Sequence, residues 1–358
     1  MQIIQIIPTI AYGDAVSNDT VALKTVIKSM GYHTKIYAES VVAPYDSKVA
    51  LSIDKLKSVE PDDVIIYHFS TGSQLNFDIA EYKCRKIMIY HNVTPPEFFE
   101  NNDNYIRGIN EWGLEGAKYL KDKMDYCLAD SEFNKQNLID MGYTCPIDVL
   151  PIIIPLKDYL KKPNKVTIKE CSDGYTNILF AGRIAPNKKQ ENIIAAFYYY
   201  KKLYNPKAKL ILAGSYKPED VYYKRLIDYI RRLGIRDVIM TGHKKFDSIL
   251  AYYRTADVFL CMSEHEGFCV PLVEAMIFDV PVIAYDTTAV AGTLGGSGML
   301  IDNNDPVFTA GCIDRLVKDK SLRKQIVERQ RERLVDFEYD KIAEMFKGYL
   351  TAFLNKKD

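Results

Sequence analysis

The tightest constraint on this chain is the stretch Ser263-Glu264-His265-Glu266-Gly267-Phe268-Cys269-Val270-Pro271-Leu272-Val273-Glu274-Ala275-Met276. An apolar run, Val258 to Met262, precedes it and reads as a buried strand. Pro271 marks a helix entry, because its missing N–H would have no intrahelical partner at the first position. The backbone must therefore turn from strand to helix between Gly267 and Val270, presenting N–H groups at the positive end of the helix dipole. Such an end attracts anions. Glu266 in the turn and Glu274 in the helix bracket it, and a carboxylate, which only accepts hydrogen bonds, suits a vicinal diol. An anion cradle between two diol clamps is what a nucleotide-diphosphate sugar requires, with one clamp on the sugar and the other on the ribose. The competing reading is a surface helix whose first turn favours acids for electrostatic reasons alone.

Glu266 and Glu274 in EGFCVPLVEAM, followed by Val280-Pro281-Val282-Ile283-Ala284, resemble the signature of family 4 retaining glycosyltransferases. The resemblance implies an α/β protein of the GT-B fold, two Rossmann-like domains facing each other across a cleft. It covers nearly the whole chain and is strongest from Gly182 to Asp302.

Composition agrees with two soluble domains. The chain has 358 residues, 47% hydrophobic and 26% charged, too many for one ordinary domain. No apolar run reaches the length of a membrane span, and the N-terminus lacks the basic region of a signal peptide. Seven cysteines without CxxC spacing suit a reducing cytoplasm and argue against zinc. The zero net charge divides unevenly: residues 1–155 hold 14 Lys+Arg against 21 Asp+Glu, leaving 33 against 26 for the rest. The second half is thus the better home for a phosphorylated ligand, though drift between halves would give the same sign. The basic run Lys157 to Lys169, without interleaved aromatics, reads as a solvated linker rather than a nucleic-acid site.

In chain order, residues 2–7 form a first strand and turn through Gly13 and Asp14 into a helix. Gly13 permits close approach to a ligand. Asp14 is either a helix N-cap or an acceptor-side group. Strands follow at Thr34 to Ala38, Asp63 to His68 and Lys86 to His91, and no GxGxxG accompanies them, which disfavours a nicotinamide domain. His91-Asn92-Val93-Thr94-Pro95-Pro96 stands at a strand's carboxyl end, where ligands dock in open α/β sheets. It is similar to the family's HN-x-x-P stretch, which implies that His91 lies beside the donor sugar. His33, His68, His243 and His265 carry no comparable side-chain argument. Asp130 or Ser131 supplies a helix cap. Pro151, Pro155 and Pro163 mark the passage to the second domain.

There, Gly182-Arg183-Ile184-Ala185-Pro186-Asn187-Lys188 places a guanidinium and an ammonium on one turn. Cations at a helix start are unfavourable unless an anion joins them. The element resembles the family's G-R-x4-K, implying that Arg183 and Lys188 hold the donor diphosphate. Asn187 replaces the usual acid and Lys189 the usual glycine. Gly214, at the end of strand Lys209 to Ala213, and the Gly242-His243 turn complete the donor side; in the family, the backbone of that turn lies by the nucleobase. Phe278-Asp279 departs from the small residue and glycine expected before Val280. Cys269 reads as a packed residue, not a nucleophile.

The expectation is domains of 1–155 and 156–339, with a terminal helix over 340–355 packing back on the first. The resemblance implies retaining, metal-independent transfer of a hexose of the mannose, glucose or N-acetylglucosamine type. The donor would be a GDP- or UDP-linked sugar and the acceptor a saccharide or lipid-linked saccharide. Arg183, Lys188, Glu266 and His91 would serve the reaction, and Gly267, Phe268, Cys269, Val270 and Glu274 would bind the donor. No cofactor, metal or nucleic acid is expected. The place expected is the cytoplasm, compatible with peripheral contact at the inner face of the membrane. A disaccharide phosphorylase, a sugar-nucleotide epimerase, a nicotinamide oxidoreductase or a non-catalytic sugar-nucleotide-binding protein are the rivals.

Overall fold

Short apolar strands alternating with helices favour parallel pairing, because each helix returns the chain to the same edge. The computed structural model describes residues 1–356 and contains two parallel sheets in two compact units.

The first unit comprises Met1–Glu97, Tyr105–Pro155 and the chain from Asp336 on. Its elements are β1 (Ile3–Ile10), α1 (Ala15–Ser29), β2 (Thr34–Val41), β3 (Leu51–Ser52), β4 (Val64–Phe69), α2 (Leu75–Asp78), β5 (Arg85–Tyr90), α3 (Asn104–Leu120), β6 (Tyr126–Ala129), α4 (Glu132–Asp140) and β7 (Ile147–Val149). The strands lie in the order β3-β2-β1-β4-β5-β6-β7. Alternate residues cover opposite faces. Ile3, Ile66, Ile87 and Leu128 pack against Leu23, Val26 and Ile27 of α1 and against Ile342, Phe346 and Leu350 of the C-terminal helix Tyr339–Asn355. Ile4, Ile65, Met88 and Cys127 pack against Leu120 and Leu138 on the other side. The C-terminal helix is also held at its end, where Arg85 Nη1 donates to the Phe353 and Lys356 carbonyls at 2.9 and 3.0 Å. A cation is favoured beside those last carbonyls.

The second unit comprises Phe98–Asn104 and Leu156–Val335. It runs α5 (Lys165–Cys171), β8 (Thr176–Ala181), α6 (Gln190–Leu203), β9 (Ala208–Ala213), α7 (Val221–Leu233), β10 (Val238–Met240), α8 (Phe246–Thr255), β11 (Val258–Cys261), α9 (Val270–Ile277), β12 (Val282–Tyr285), α10 (Val290–Leu294), β13 (Met299–Ile301), α11 (Pro306–Lys318) and α12 (Lys320–Leu334). Its sheet is ordered β10-β9-β8-β11-β12-β13. The core gathers Ile178, Phe180, Leu210, Leu212, Val258 and Leu260 with Ile193, Phe197 and Ile313.

The lysine-rich stretch expected as a solvated linker is partly helical. Asn164 accepts from the N–H groups of Val166 and Thr167 at 3.0 and 3.1 Å and so starts α5. Thr167 and Cys171, four residues apart, are buried while Lys165 and Lys169 face solvent. The lysine count concealed a single buried stripe. Among the described residues no helix is long and apolar enough to cross a membrane.

Candidate functional site

In the second unit, two strand-to-helix turns converge. The turn after β8 leaves Gly182 at φ 146° and passes through a 3-10 turn, Pro186–Lys188, to Lys189 at φ 48°. A left-handed lysine is strained, and Lys189 Nζ meets Glu264 at 3.1 Å. Asn187 ties the turns together. Its Nδ2 donates to the His265 carbonyl at 3.1 Å, and its backbone carbonyl accepts from Glu264 N at 2.9 Å. The side-chain donation to His265 is one that an ionised acid could not make.

Lys188 Nζ lies 2.6 Å from Glu266 Oε2. Burial opposes the lysine's charge, but the Glu266 carboxylate outweighs it, and the ammonium is held above its ordinary pKa. Arg183, on the same turn, is exposed and has no ion pair among the described residues. Its backbone carbonyl is anchored instead, accepting from Gln190 Nε2 at 3.1 Å. Gly214 ends β9 against this turn so closely that a Cβ there would lie 1.8 Å from the Gly182 carbonyl oxygen. Only glycine fits.

Cys269 takes the left-handed conformation, φ 73°, that swings the chain into α9, with Val270 and Pro271 opening the helix. Its thiol is buried and paired with that of Cys261, Sγ to Sγ 4.0 Å, and this partner and burial both hold it well above the ordinary thiol range. It is a packed residue. Phe268 is buried, and Thr293 Oγ1 donates to its carbonyl. Glu266 N donates to Thr288 Oγ1 at 2.9 Å, fixing the loop that includes Gly267. Glu274 accepts one phenol on each carboxylate oxygen, from Tyr159 and Tyr253, both at 2.6 Å. Burial raises its carboxyl pKa and the two phenols oppose the rise. One lone-pair direction on each oxygen of the carboxylate expected to grip a ribose diol is thus taken by a side-chain hydroxyl. Gly242 turns at φ 65°, and His243 beside it is exposed.

In the first unit, Gly13 is left-handed at φ 81° with open space where a Cβ would go. Asp14 caps α1, accepting from Ser17 N at 2.9 Å and Ser17 Oγ at 2.8 Å. His91 is buried, and both of its ring nitrogens are engaged: Nδ1 with Asp130 Oδ2 at 2.9 Å and Nε2 with His68 Nδ1 at 3.1 Å. Asp130, read from sequence as a possible cap, is therefore a histidine partner, and Ser131 alone caps α4 by accepting from Asn134 N at 3.1 Å. His68, for which the sequence offered no side-chain argument, is thus bonded to His91 as well. The signal for both was a polar residue within or just after a wholly buried strand.

Two trios of metal-ligating types have their ligand atoms within 4.8 Å of one another among the described residues: Asp19, His68 and His91, and Cys261, Glu266 and Cys269. In each the atoms already hold other partners. The histidines hold each other, Asp19 accepts from Ile153 N at 2.8 Å, and Glu266 holds Lys188.

The two Rossmann-like units are those of GT-B glycosyltransferases. The chain is similar over 99% of its length, and 100% of the other, to sucrose-phosphate synthase from Thermosynechococcus elongatus, with a TM-score of 0.76 at 17% identity. It resembles Anabaena HepE in complex with UDP-glucose over 98% of its length and 100% of the other, with a TM-score of 0.75 at 17% identity. Residues 162–333 match the family model of glycosyl transferases, group 1. Among curated relatives, the capsular polysaccharide biosynthesis glycosyltransferase CapM of Staphylococcus aureus is 27% identical over 50% of this chain and 47% of its own length. The O-antigen chain mannosyltransferase B of Escherichia coli is 24% identical over 70% and 65%. The chain thus spans about half to two thirds of the length of these relatives.

Proposed function

We propose that this protein transfers a hexosyl group from a nucleotide-diphosphate sugar to a saccharide or lipid-linked saccharide acceptor, with retention of anomeric configuration and without a metal. The observation that carries the reading is the convergence of Lys188, Glu266 and the start of α9 on one corner, with Arg183, which makes no ion pair among the described residues, on the same turn as Lys188. Arg183 forks two phosphate oxygens where lysine supplies a point charge. Negative charge growing on the departing diphosphate is stabilised by Arg183, Lys188 and the first N–H groups of α9, which do the work a divalent cation does elsewhere. Glu266, held by Lys188, keeps its second oxygen for donor-sugar hydroxyls. Glu274 takes the ribose, Gly13, Gly182, Gly214 and the Gly242-His243 turn give the donor backbone room, and Asp14 serves the acceptor. His91 serves the donor sugar. GDP- and UDP-linked donors both suit these groups. The mannosyltransferase and capsular glycosyltransferase names of the relatives support a hexose donor and a glycan acceptor.

The test is a thermal-shift screen of the protein against nucleotide sugars, followed by product analysis of the stabilising donor with glycan acceptors in the presence and absence of chelator. Product whose new linkage keeps the donor's anomeric configuration, formed equally with chelator, is expected. No stabilisation by any nucleotide sugar, or inversion, overturns the reading.

A further inference from the structure

Four neighbouring strands of the first sheet each contribute one buried polar side chain to a single row. Gln5 lies on β1 and His68 on β4, His91 directly follows β5, and Asp130 directly follows β6. Gln5 Oε1 is 3.0 Å from His68 Nε2, His68 Nδ1 is 3.1 Å from His91 Nε2, and His91 Nδ1 is 2.9 Å from Asp130 Oδ2. The imidazole planes differ by only 8° with centroids 5.4 Å apart, so the facing nitrogens point at each other within a common plane.

The row poses a problem of proton count. With Asp130 ionised and the Gln5 amide presenting its oxygen, each outer ring nitrogen carries a proton. If both imidazoles were neutral, two bare lone pairs would face each other at 3.1 Å. A cation must sit between them. Charge balance points the same way. Asp130 is buried with no lysine or arginine beside it among the described residues, its other oxygen has no partner, and the buried Asp19 lies next to the pair. A carboxylate removed from water needs a compensating positive charge.

We propose that His68 and His91 share one proton between their facing ring nitrogens, making the row a buried cation in which His68 and Asp130 are positioning residues for His91. The proton resides on His91, because burial disfavours charge on His68, whereas at His91 the cost of burial is outweighed by Asp130, Asp19 and Asp14. These are the titratable groups that face the pair: His68 from β4, Asp130 after β6, and Asp19 and Asp14 from α1 and its cap. Held at both nitrogens, His91 is locked in orientation and keeps its charge at neutral pH. Its service to the donor sugar rests on the proposed function; its protonation does not.

The test is nitrogen-15 NMR of the full-length protein with ring-labelled histidine, tractable because the chain has five histidines. At pH 7, His91 is expected with both ring nitrogens protonated and His68 with Nε2 alone protonated. A bare Nε2 on His91, as follows if the Gln5 amide presents its NH2 group to His68, overturns the proposal. So does stoichiometric metal, found by elemental analysis, on the facing nitrogens. His68→Leu removes the acceptor and is expected to lower the His91 titration midpoint by about one unit or more. The alkaline limb of kcat/KM should move with it while donor KM stays within about twofold. His68→Asn, which keeps an acceptor near the Nδ1 position, is expected to restore both. An unmoved His91 titration in His68→Leu overturns the coupling. A protonated His91 in a protein that turns over no nucleotide sugar sinks the proposed function and leaves the shared proton standing.

Discussion

Lys188 Nζ and Glu266 Oε2, contributed by two different strand-to-helix turns, stand 2.6 Å apart with both side chains largely buried. The pair fixes the distance between the turn that bears Arg183 and the turn that opens α9. Lys188→Ala leaves the Glu266 carboxylate buried without its partner, a change that costs about 3 kcal/mol. Urea unfolding should show that loss, and turnover should fall roughly a hundredfold. A variant with wild-type stability and turnover would remove Lys188 from both roles.

Arg183 separates catalysis from folding. Its side chain is exposed and makes no ion pair among the described residues, so Arg183→Ala should change stability by less than about 0.5 kcal/mol. Turnover should nevertheless drop roughly a hundredfold, because the proposed function gives this guanidinium to the leaving diphosphate. Arg183→Lys restores the charge but not the planar fork and should recover only part of the rate. Steady-state kinetics with the stabilising donor check both variants.

The Asp19 carboxyl is pushed from 3.8 up to about 7, chiefly by burial, with His91 opposing the rise. Between those values the native chain binds a proton that the unfolded chain has lost. Stability from this group is therefore greatest below the window and falls as pH rises through it. Asp19→Asn keeps an oxygen for the Ile153 N–H and has no proton to lose. It should be more stable than the wild type at pH 8 by up to roughly 4 kcal/mol, with the difference shrinking toward pH 4. Denaturant midpoints at the two pH values measure it.

Much of this arrangement was legible in the chain, and the rest was hidden for identifiable reasons. Strand–turn–helix units, Pro271 at the α9 entry and the G-R-x4-K spacing are local signals, and local signals survive folding. Left-handed turns were equally readable where an unusual residue filled a glycine's place. Lys189 and Asp279 adopt φ 48° and 55°, and each is tied by an ion pair, to Glu264 and Arg331. How Gln5, His68, His91 and Asp130 join into one row was not legible, because it depends on the order β1-β4-β5-β6 in the sheet. No sequence spacing reports that order. The hold of Tyr159 on Glu274 was hidden likewise: 115 residues separate them, and Tyr159 lies in a segment whose lysines suggested solvent.

Gly214 tests the close approach of the two turns. A methyl group there would lie 1.8 Å from the Gly182 carbonyl oxygen, a backbone atom that cannot rotate away. Gly214→Ala must push β8 and β9 apart at their carboxyl ends, and overpacking of this kind costs about 3 kcal/mol or more. Thermal unfolding should show a marked loss, and donor-induced stabilisation should vanish in whatever folded protein remains.

Glu274 and its two tyrosines offer a test of the ribose site in the proposed function. A carboxylate offers about four lone-pair directions, and the phenols of Tyr159 and Tyr253 take one on each oxygen. The remaining directions are open to a ribose diol, with the phenols fixing the carboxylate's orientation. Glu274→Ala should then weaken nucleoside-diphosphate binding by more than about tenfold, the worth of a charge-assisted hydrogen bond. Tyr159→Phe removes one orienting bond and should weaken binding about fivefold, near 1 kcal/mol, with a similar loss of stability. Calorimetric titration of both variants decides the matter. Tighter binding by Tyr159→Phe would mean that the phenol competes with the ribose for Glu274 instead of aiming it.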